Sequence, residues 1–323
     1  MIDKDILEQL RSDFGSALQE NIRLSYFATM NVGGLCDALI TAYSADDLAN
    51  IVSRLWQLNL PVKVLGGGSN LLISDKGVSD IIVINHAHNI KVICHDDLFK
   101  VRAESGALMV TLGKQLALRG LSGMEWAATI PGTVGGAVYG NAGAFNGETC
   151  QSLISADVLD RDSGRSEWLC EQLQYSYRAS IIKRKSQEAV ILSALFRVEK
   201  GNKQEIERNI EIFRQKRGKN QPPGASVGSV FRNPPGDKAG RLIEAAGLKG
   251  KRIGGAIISP HHANFIINDS NATAQDVLDL LVLARNSVKD LFGIELIPEI
   301  EVIGEWENLP DFLRSTQTEE TVN

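Results

Sequence analysis

The sequence predicts an α+β protein built from more than one packed unit, and three observations predict it. Its 323 residues exceed what one small hydrophobic core organises. The stretch before Lys200 is dominated by short apolar runs of strand length between turn residues, with few helical periodicities among them. After Lys200 the composition shifts to a charged amphipathic helix, a Pro-Gly break and one long apolar-periodic helix between short strands.

Ile6, Leu7, Leu10, Phe14 and Leu18 recur at roughly helical spacing and predict an opening helix. A strand over 38–43 follows. Ser44 is placed as an N-cap, with Asp46 and Asp47 favouring the positive end of the helix dipole, and Leu48, Ile51, Val52, Leu55 and Leu58 give that helix its buried face. Asn59 ends it, and 61–65 reads as a short strand running into Gly66-Gly67-Gly68-Ser69-Asn70. Short strands fill 81–101. A helix over 107–119 closes at Gly120, and a second glycine-rich tract spans 132–147. Strands over 153–160 and 190–198 flank a turn at Asp162-Ser163-Gly164. A charged helix over 203–219 ends before Gln221-Pro222-Pro223-Gly224, and the domain boundary is expected near 199–201. Beyond it lie short strands around Ile257 and Ile266. A capping signature of Thr273 and Asp276 precedes a helix through Val277, Leu278, Leu281 and Val282, and a strand follows over 296–303. The polar tail after Leu309 is expected to fray.

The formal net charge of -5 speaks against a dedicated nucleic-acid binder, while leaving room for a local basic pocket. Asp3, Lys4, Asp5 and Glu8 occupy the place a signal peptide needs for its apolar core, and no apolar run reaches the length of a membrane span. Cys36, Cys94, Cys150 and Cys170 are far apart and form no Cys-x-x-Cys pair, so a reducing cytoplasm is the simplest compartment. His86, His88 and His95 form no zinc motif, and no metal is assigned. Met and aromatic residues are too scattered for a base-stacking surface.

A strand followed by three glycines suits phosphate binding, because without a Cβ successive N–H groups can turn toward one anion. Neither tract fits the dinucleotide fingerprint: Leu71 stands where its last glycine belongs, and Gly132, Gly135 and Gly136 miss its spacing. No phosphate-loop motif exists, since Gly113-Lys114, Gly218-Lys219 and Gly250-Lys251 are followed by Gln, Asn and Arg. One such tract alone reads as a tight turn. Two, each with Asn or Ser at hand, point to a dinucleotide site.

Here the motifs become specific. Val64 through Leu72 resembles the first FAD-binding loop of the UDP-N-acetylenolpyruvoylglucosamine reductase family, and 123–148 is similar to that family's second flavin-binding stretch. Tyr175-Ser176-Tyr177-Arg178, 228–234 and Pro298-Glu299-Ile300-Glu301 resemble its three catalytic motifs. The segments 240–250 and His262-Ala263-Asn264-Phe265 also match, and the likeness covers about 22–304 in the family's order. The short interval between Arg178 and Val190 resembles the family's shorter form, without a substrate-covering tyrosine loop.

The resemblance implies the FAD-binding fold of the vanillyl-alcohol-oxidase-like flavoproteins in two α/β subdomains, with a C-terminal α+β substrate domain. The implied division is 1–60 for the N-terminal part of the FAD-binding region, 61–200 for the FAD-binding domain, 201–304 for the substrate domain and 305–323 for a tail. It implies a cytoplasmic, monomeric oxidoreductase of cell-wall precursor synthesis. NADPH would reduce noncovalent FAD, which would then reduce UDP-N-acetylglucosamine enolpyruvate. Leu65, Gly66, Gly67, Gly68, Ser69, Asn70, Leu71, Pro131, Gly132, Thr133, Gly135, Gly136, Asn141 and Gly143 are the implied cofactor contacts.

Hydride arriving at a double bond conjugated to a carboxylate builds negative charge there, and fixed donors must meet it. Arg178 is the implied partner, its guanidinium fork suiting a carboxylate. Alone it would read as a surface arginine, as Lys183, Arg184 and Lys185 do. Ser229 is the implied proton donor, a role a neutral hydroxyl fills only toward a strongly basic enolate; its plain reading is a turn serine. Glu299 would hold the guanidinium or share a proton with the intermediate, and Glu301 is its nearest competitor. Tyr177, Arg232 and Asn233 are the implied substrate contacts, and Asn233 reads equally well as a cap on the turn at Pro234-Pro235. His262 reads as structural. Asn31, Gly140 and Arg241 depart from the commonest family pattern. Two rivals remain. A sugar or alcohol oxidase would often tether its flavin through a His in the first loop, where none stands, and a binding module would not need Arg178, Ser229 and Glu299 together.

Overall fold

The computed structural model describes residues 2–185 and 188–314. The chain is α+β and divides into two compact units. Of the described residues, one comprises 2–39, Gly68–Ile81 and 218–314; the other comprises Ile40–Gly67 and those within Ile82–Arg217. Composition places a boundary near 199–201, whereas this division falls at Arg217/Gly218, the end of the helix Lys203–Asn220. The reason lies in packing: Phe213 on that helix leans on the core of the second unit. Sequence order also sets the first residues apart from the C-terminal region, yet Met30 and Val32 are buried in one core with Phe231, Leu242, Leu278 and Leu281.

The second unit is built on an antiparallel sheet in the order Gly164–Leu169, Leu153–Asp160, Ala189–Lys200, Leu98–Glu104, Ile90–His95, with Leu121–Ser122 paired to the far end of its central strand. The Asp162-Ser163 turn works as expected: the Asp160 carboxylate accepts the backbone N–H groups of both residues, at 3.1 and 2.8 Å. The central strand buries Ile191, Leu192, Ala194, Phe196 and Val198. The helix Met109–Leu118 packs over this core, and Gly120, at φ 68°, sits just past its end as predicted. A shorter helix, Val134–Gly140, lies inside the second glycine tract, which periodicity does not reveal. A further, four-stranded sheet includes Leu35–Ala42, Ile81–Asn85 and Val62–Leu65, with the helix Ala45–Gln57 following Leu35–Ala42. Ser44 accepts the Asp47 N–H at 3.1 Å, so that N-cap stands as read.

In the first unit the opening helix is Lys4–Phe14. It stops at Gly15, φ 51°, and Leu18 starts the strand Leu18–Arg23 instead of extending the helix. The long helix Ala274–Phe292 bears the predicted capping box: Thr273 accepts the Asp276 N–H, and Asp276 accepts that of Thr273. Asp75 adds a third acceptor, taking the Ala274 N–H at 2.7 Å. The helix packs on the antiparallel strands Arg252–Ile253, Ala256–Ile258 and Ile266–Asn268, beside a short helix Ala239–Ala245.

The strand expected over 296–303 is only Glu301–Ile303, parallel to Leu71–Ile73. Pro298 has no N–H to give a ladder, and it meets Phe231 through an isolated bridge. The tail is likewise not wholly frayed: Asp311–Arg314 is helical and Leu313 is buried in the core, while 315–323 lie outside the described residues. Among the described residues no helix is long and apolar enough to cross a membrane.

Candidate active site

The two glycine tracts meet within the second unit up to Gly67. A Cβ on Gly66 would fall 2.4 Å from Thr133 Oγ1, and one on Gly67 would lie 3.4 Å from the Gly132 Cα. The second tract is pinned from behind: the Gly132 carbonyl accepts the Met109 N–H at 3.1 Å, and the Val134 N–H donates to Ala107 at 2.8 Å. Gly135 leaves no room for a side chain, with Ser105 Cβ 2.9 Å from its would-be Cβ. The division of the chain passes between Gly67 and Gly68. In the first unit Gly68 is left-handed at φ 59°, its missing Cβ would strike the Phe27 carbonyl, and its own carbonyl accepts the Thr29 N–H at 3.2 Å.

Asn70 ends the first loop with its side chain committed. Its Nδ2 donates to the Glu299 carbonyl at 3.0 Å, and its carbonyl accepts the Glu301 N–H at 2.9 Å. Ser229, Arg232, Asn233 and Glu299 belong to the same unit. The Glu299 N–H donates to the Val230 carbonyl and the Arg232 N–H to that of Ile297, both at 2.9 Å, so the Ser229 and Glu299 segments run side by side. On its other side the Ser229 segment is held by Asn264, a residue whose motif sequence reasoning noted without giving it a task. Buried Asn264 accepts the Phe231 N–H at 3.0 Å and donates to the Phe231 carbonyl at 2.8 Å. Ser229 is half-buried and follows Gly228, which turns the chain at φ 80°. Exposed Asn233 accepts the Ala239 N–H at 3.1 Å, at the first turn of the helix Ala239–Ala245, which is a capping bond.

Arg178 and Tyr177 belong to the second unit. Arg178 sits in a tight turn in which Ser176 and Ala179 exchange backbone bonds at 3.0 and 3.2 Å. Its φ of 59° is left-handed, which a non-glycine residue adopts only where the surroundings impose it. The guanidinium donates to the Gly143 carbonyl at 2.9 Å and the Asn141 carbonyl at 3.5 Å, and stands 5.4 Å from the centroid of the half-exposed Tyr177 ring. Gly143 must be glycine here, since a Cβ would lie 2.4 Å from the Gly147 carbonyl.

The basic run after Arg178 is not uniformly solvated. Lys183 is only 7% exposed, with its ammonium 5.6 Å from the Tyr139 ring centroid. Ser180, one turn before it, bonds the Tyr139 carbonyl and so draws Lys183 beneath the helix Val134–Gly140. Arg184 bonds Ser176 Oγ at 3.0 Å.

The departures also find their places. Arg241 holds Asp237 one turn away across an exposed surface, and this guanidinium keeps the Asp237 carboxyl down at about 2. A Cβ on Gly140 would meet open space. Asn31 is left-handed at φ 57°, which suits asparagine. Burial lowers the pKa of His262, whose Nδ1 accepts the Asn264 N–H at 3.2 Å. Burial pushes the Cys150 thiol up to about 11.

Known proteins resemble the chain along most of its length. The family described as UDP-N-acetylenolpyruvoylglucosamine reductase, C-terminal domain, matches residues 220–303, and the family described as FAD binding domain matches 36–169. The UDP-N-acetylenolpyruvoylglucosamine reductase of Chloroflexus aggregans is 38% identical over 289 residues, covering 88% of this chain and 97% of that protein. Its counterpart in Caldanaerobacter subterraneus subsp. tengcongensis is 40% identical over 279 residues, covering 86% and 90%. The crystal structure of UDP-N-acetylenolpyruvylglucosamine reductase from Thermus caldophilus is similar at a TM-score of 0.73 and 33% identity, over 87% of this chain and 97% of that one.

Proposed function

The chain belongs to the UDP-N-acetylenolpyruvoylglucosamine reductase family, and from that premise we propose that it catalyses the NADPH-dependent reduction of UDP-N-acetylglucosamine enolpyruvate to UDP-N-acetylmuramate in peptidoglycan precursor synthesis. It works as a monomer in the cytoplasm, with FAD held noncovalently.

The residues present fit this cofactor. Gly66 and Gly135 stand where a Cβ would lie within 3 Å of Thr133 or Ser105, Gly67 where one would reach the Gly132 Cα, and no His stands in the first loop to form a covalent bond. Leu65, Gly66, Gly67, Gly68, Ser69, Asn70 and Leu71, with Pro131, Gly132, Thr133, Gly135 and Gly136, are the residues that would hold it. When bound, FAD supplies the hydride, received from NADPH, that reaches the methylene carbon of the enolpyruvyl group.

The chain's own residues supply the rest. Arg178 donates to the substrate carboxylate, whose charge grows as the hydride arrives. A guanidinium stays charged at any working pH, and a fixed one needs no reorganisation during the step. Ser229 Oγ gives its proton to the carbon adjoining the methylene, completing saturation of the double bond. Glu299 stabilises the enolate together with Arg178. Tyr177, Arg232 and Asn233 contact the nucleotide sugar, Asn233 through the amide hydrogens that its capping bond leaves free for donation.

The observation that carries this reading is the Arg178 guanidinium, set by a left-handed backbone and held on two carbonyls of the second glycine tract. The test is NADPH consumption by the flavin-loaded protein with and without UDP-N-acetylglucosamine enolpyruvate. Consumption that depends on this substrate, with a product heavier by two hydrogens, supports the proposal. A folded, flavin-loaded protein that leaves the substrate unchanged refutes it.

A further inference from the structure

Asn141 is expected, from the resemblance, to touch the cofactor. Its surroundings argue for another task. The residue is 2% exposed and ends the helix Val134–Gly140 in a left-handed conformation, φ 44° and ψ 53°. A carboxamide has two hydrogens to donate, and both are committed. Nδ2 donates to Glu148 Oε2 and to the Ser176 carbonyl, each at 3.1 Å, while Oδ1 accepts the Cys150 N–H at 3.1 Å. Glu148 is itself oriented, since the Cys150 thiol donates to its Oε1 at 3.3 Å.

These partners flank Arg178 on two sides. Ser176 lies two residues ahead of it in the same tight turn. On the other side, the Asn141 and Gly143 carbonyls receive the guanidinium. One buried side chain thus ties the turn that carries the arginine to the loop that receives it. Such a tie suits a residue in a strained conformation, which persists only when its surroundings over-determine it.

We propose that Asn141 is a positioning residue for Arg178: its amide joins the 176–179 turn to the 141–148 loop and so aims the guanidinium at the substrate carboxylate. The proposal rests on the reductase reading for the identity of that carboxylate, and on the geometry alone for the tie itself.

The test uses the flavin-loaded enzyme and the substitution Asn141→Gly, which keeps the left-handed freedom and deletes the amide. FAD content stays full, and flavin reduction by NADPH stays within about twofold of wild type. Reduction of UDP-N-acetylglucosamine enolpyruvate slows on the order of 10- to 100-fold, the scale expected for a group misplaced by about an ångström. In an Arg178→Lys background the same substitution adds less than about twofold, because the two residues act as one unit. The readout independent of turnover is solvent exchange of the Arg178 Nε proton, followed by NMR and assigned by its loss in Arg178→Lys. It quickens by about tenfold or more in Asn141→Gly, by loosening of the tie.

Loss of FAD from Asn141→Gly, equal slowing of both half-reactions, full additivity with Arg178→Lys, or unchanged exchange would each overturn the proposal. Should Asn141→Gly fail to fold, Asn141→Asp is read in the same assays. It keeps the shape and the acceptor for Cys150, but offers no hydrogens to Glu148 and Ser176. A wild-type enzyme that never reduces the substrate sinks the reductase reading alone, and the exchange measurement still decides on the tie.

Discussion

Replacing Gly68 and Gly67 by alanine, one at a time, separates a glycine the backbone needs from one a ligand needs. At Gly68 two penalties combine. Its φ of 59° is left-handed, which costs an L-residue about 1–2 kcal/mol. The new methyl would also overlap the Phe27 carbonyl and come within 2.9 Å of the Ala28 Cα, both backbone atoms that no rotamer change can move aside. Overpacking of that kind costs a further ~1–3 kcal/mol. Gly68→Ala is therefore expected to lose about 2–5 kcal/mol of stability, read as an earlier urea midpoint in flavin-stripped protein. Gly67 has no such constraint: its nearest prospective neighbour, the Gly132 Cα, lies at an ordinary 3.4 Å. Gly67→Ala is expected to stay within ~0.5 kcal/mol of wild type in stability. It should still weaken FAD by about 5- to 150-fold, the equivalent of ~1–3 kcal/mol, because the methyl projects where the two glycine tracts face each other. Fluorescence titration of the stripped protein with FAD measures this. A Gly68→Ala protein as stable as wild type would refute the steric argument, and unchanged FAD affinity in Gly67→Ala would refute the cradle.

Three further outcomes follow from particular contacts. Ser229→Ala should slow substrate reduction by roughly 10²- to 10⁴-fold, the usual contribution of a positioned acid, while flavin reduction by NADPH is spared in stopped-flow traces; equal damage to both steps counts against the acid role. His262, its folded pKa lowered by burial, favours the neutral ring. Its contribution to stability is complete above the unfolded value of 6.5 and is lost as pH falls through the lower folded value, so His262→Gln should flatten the denaturation midpoint against pH below 6.5. A profile as steep as wild type removes His262 from the acid response. Thr273→Ala deletes one acceptor of the box on Ala274–Phe292 and should cost about 1 kcal/mol in urea unfolding, with Asp75 still holding the Ala274 N–H; no change would mean that Asp75 suffices.

Much of the candidate site was legible because glycine and caps announce themselves locally. A residue that must bear φ 59°, as Gly68 does, restricts the amino acid whatever lies elsewhere in the fold. Arg178 and Ser229 are candidates on another ground, through whole motifs, since a lone arginine or serine carries no physical signature of a role. Asn70, Asn141 and Asn264 show what such reading misses. Each amide serves a backbone group many residues away: Asn70 the Glu299 carbonyl, Asn141 that of Ser176, Asn264 that of Phe231. Nothing near an asparagine in sequence says which distant carbonyl it will find.

By itself the sequence determined the α+β class, the Ser44 cap, the Thr273–Asp276 box, the stop at Gly120 and the turn after Asp160, because each depends on atoms within a few residues of one another. Only the tertiary structure decided that Met30 and Val32 share a core with Leu278, that Leu71–Ile73 runs parallel to Glu301–Ile303, and that Lys183 is buried while its neighbour Arg184 turns to Ser176. These outcomes come from burial and pairing across large sequence separations. There the free energy depends on which apolar surfaces and backbone groups the whole chain brings together, and a local pattern is compatible with several partners.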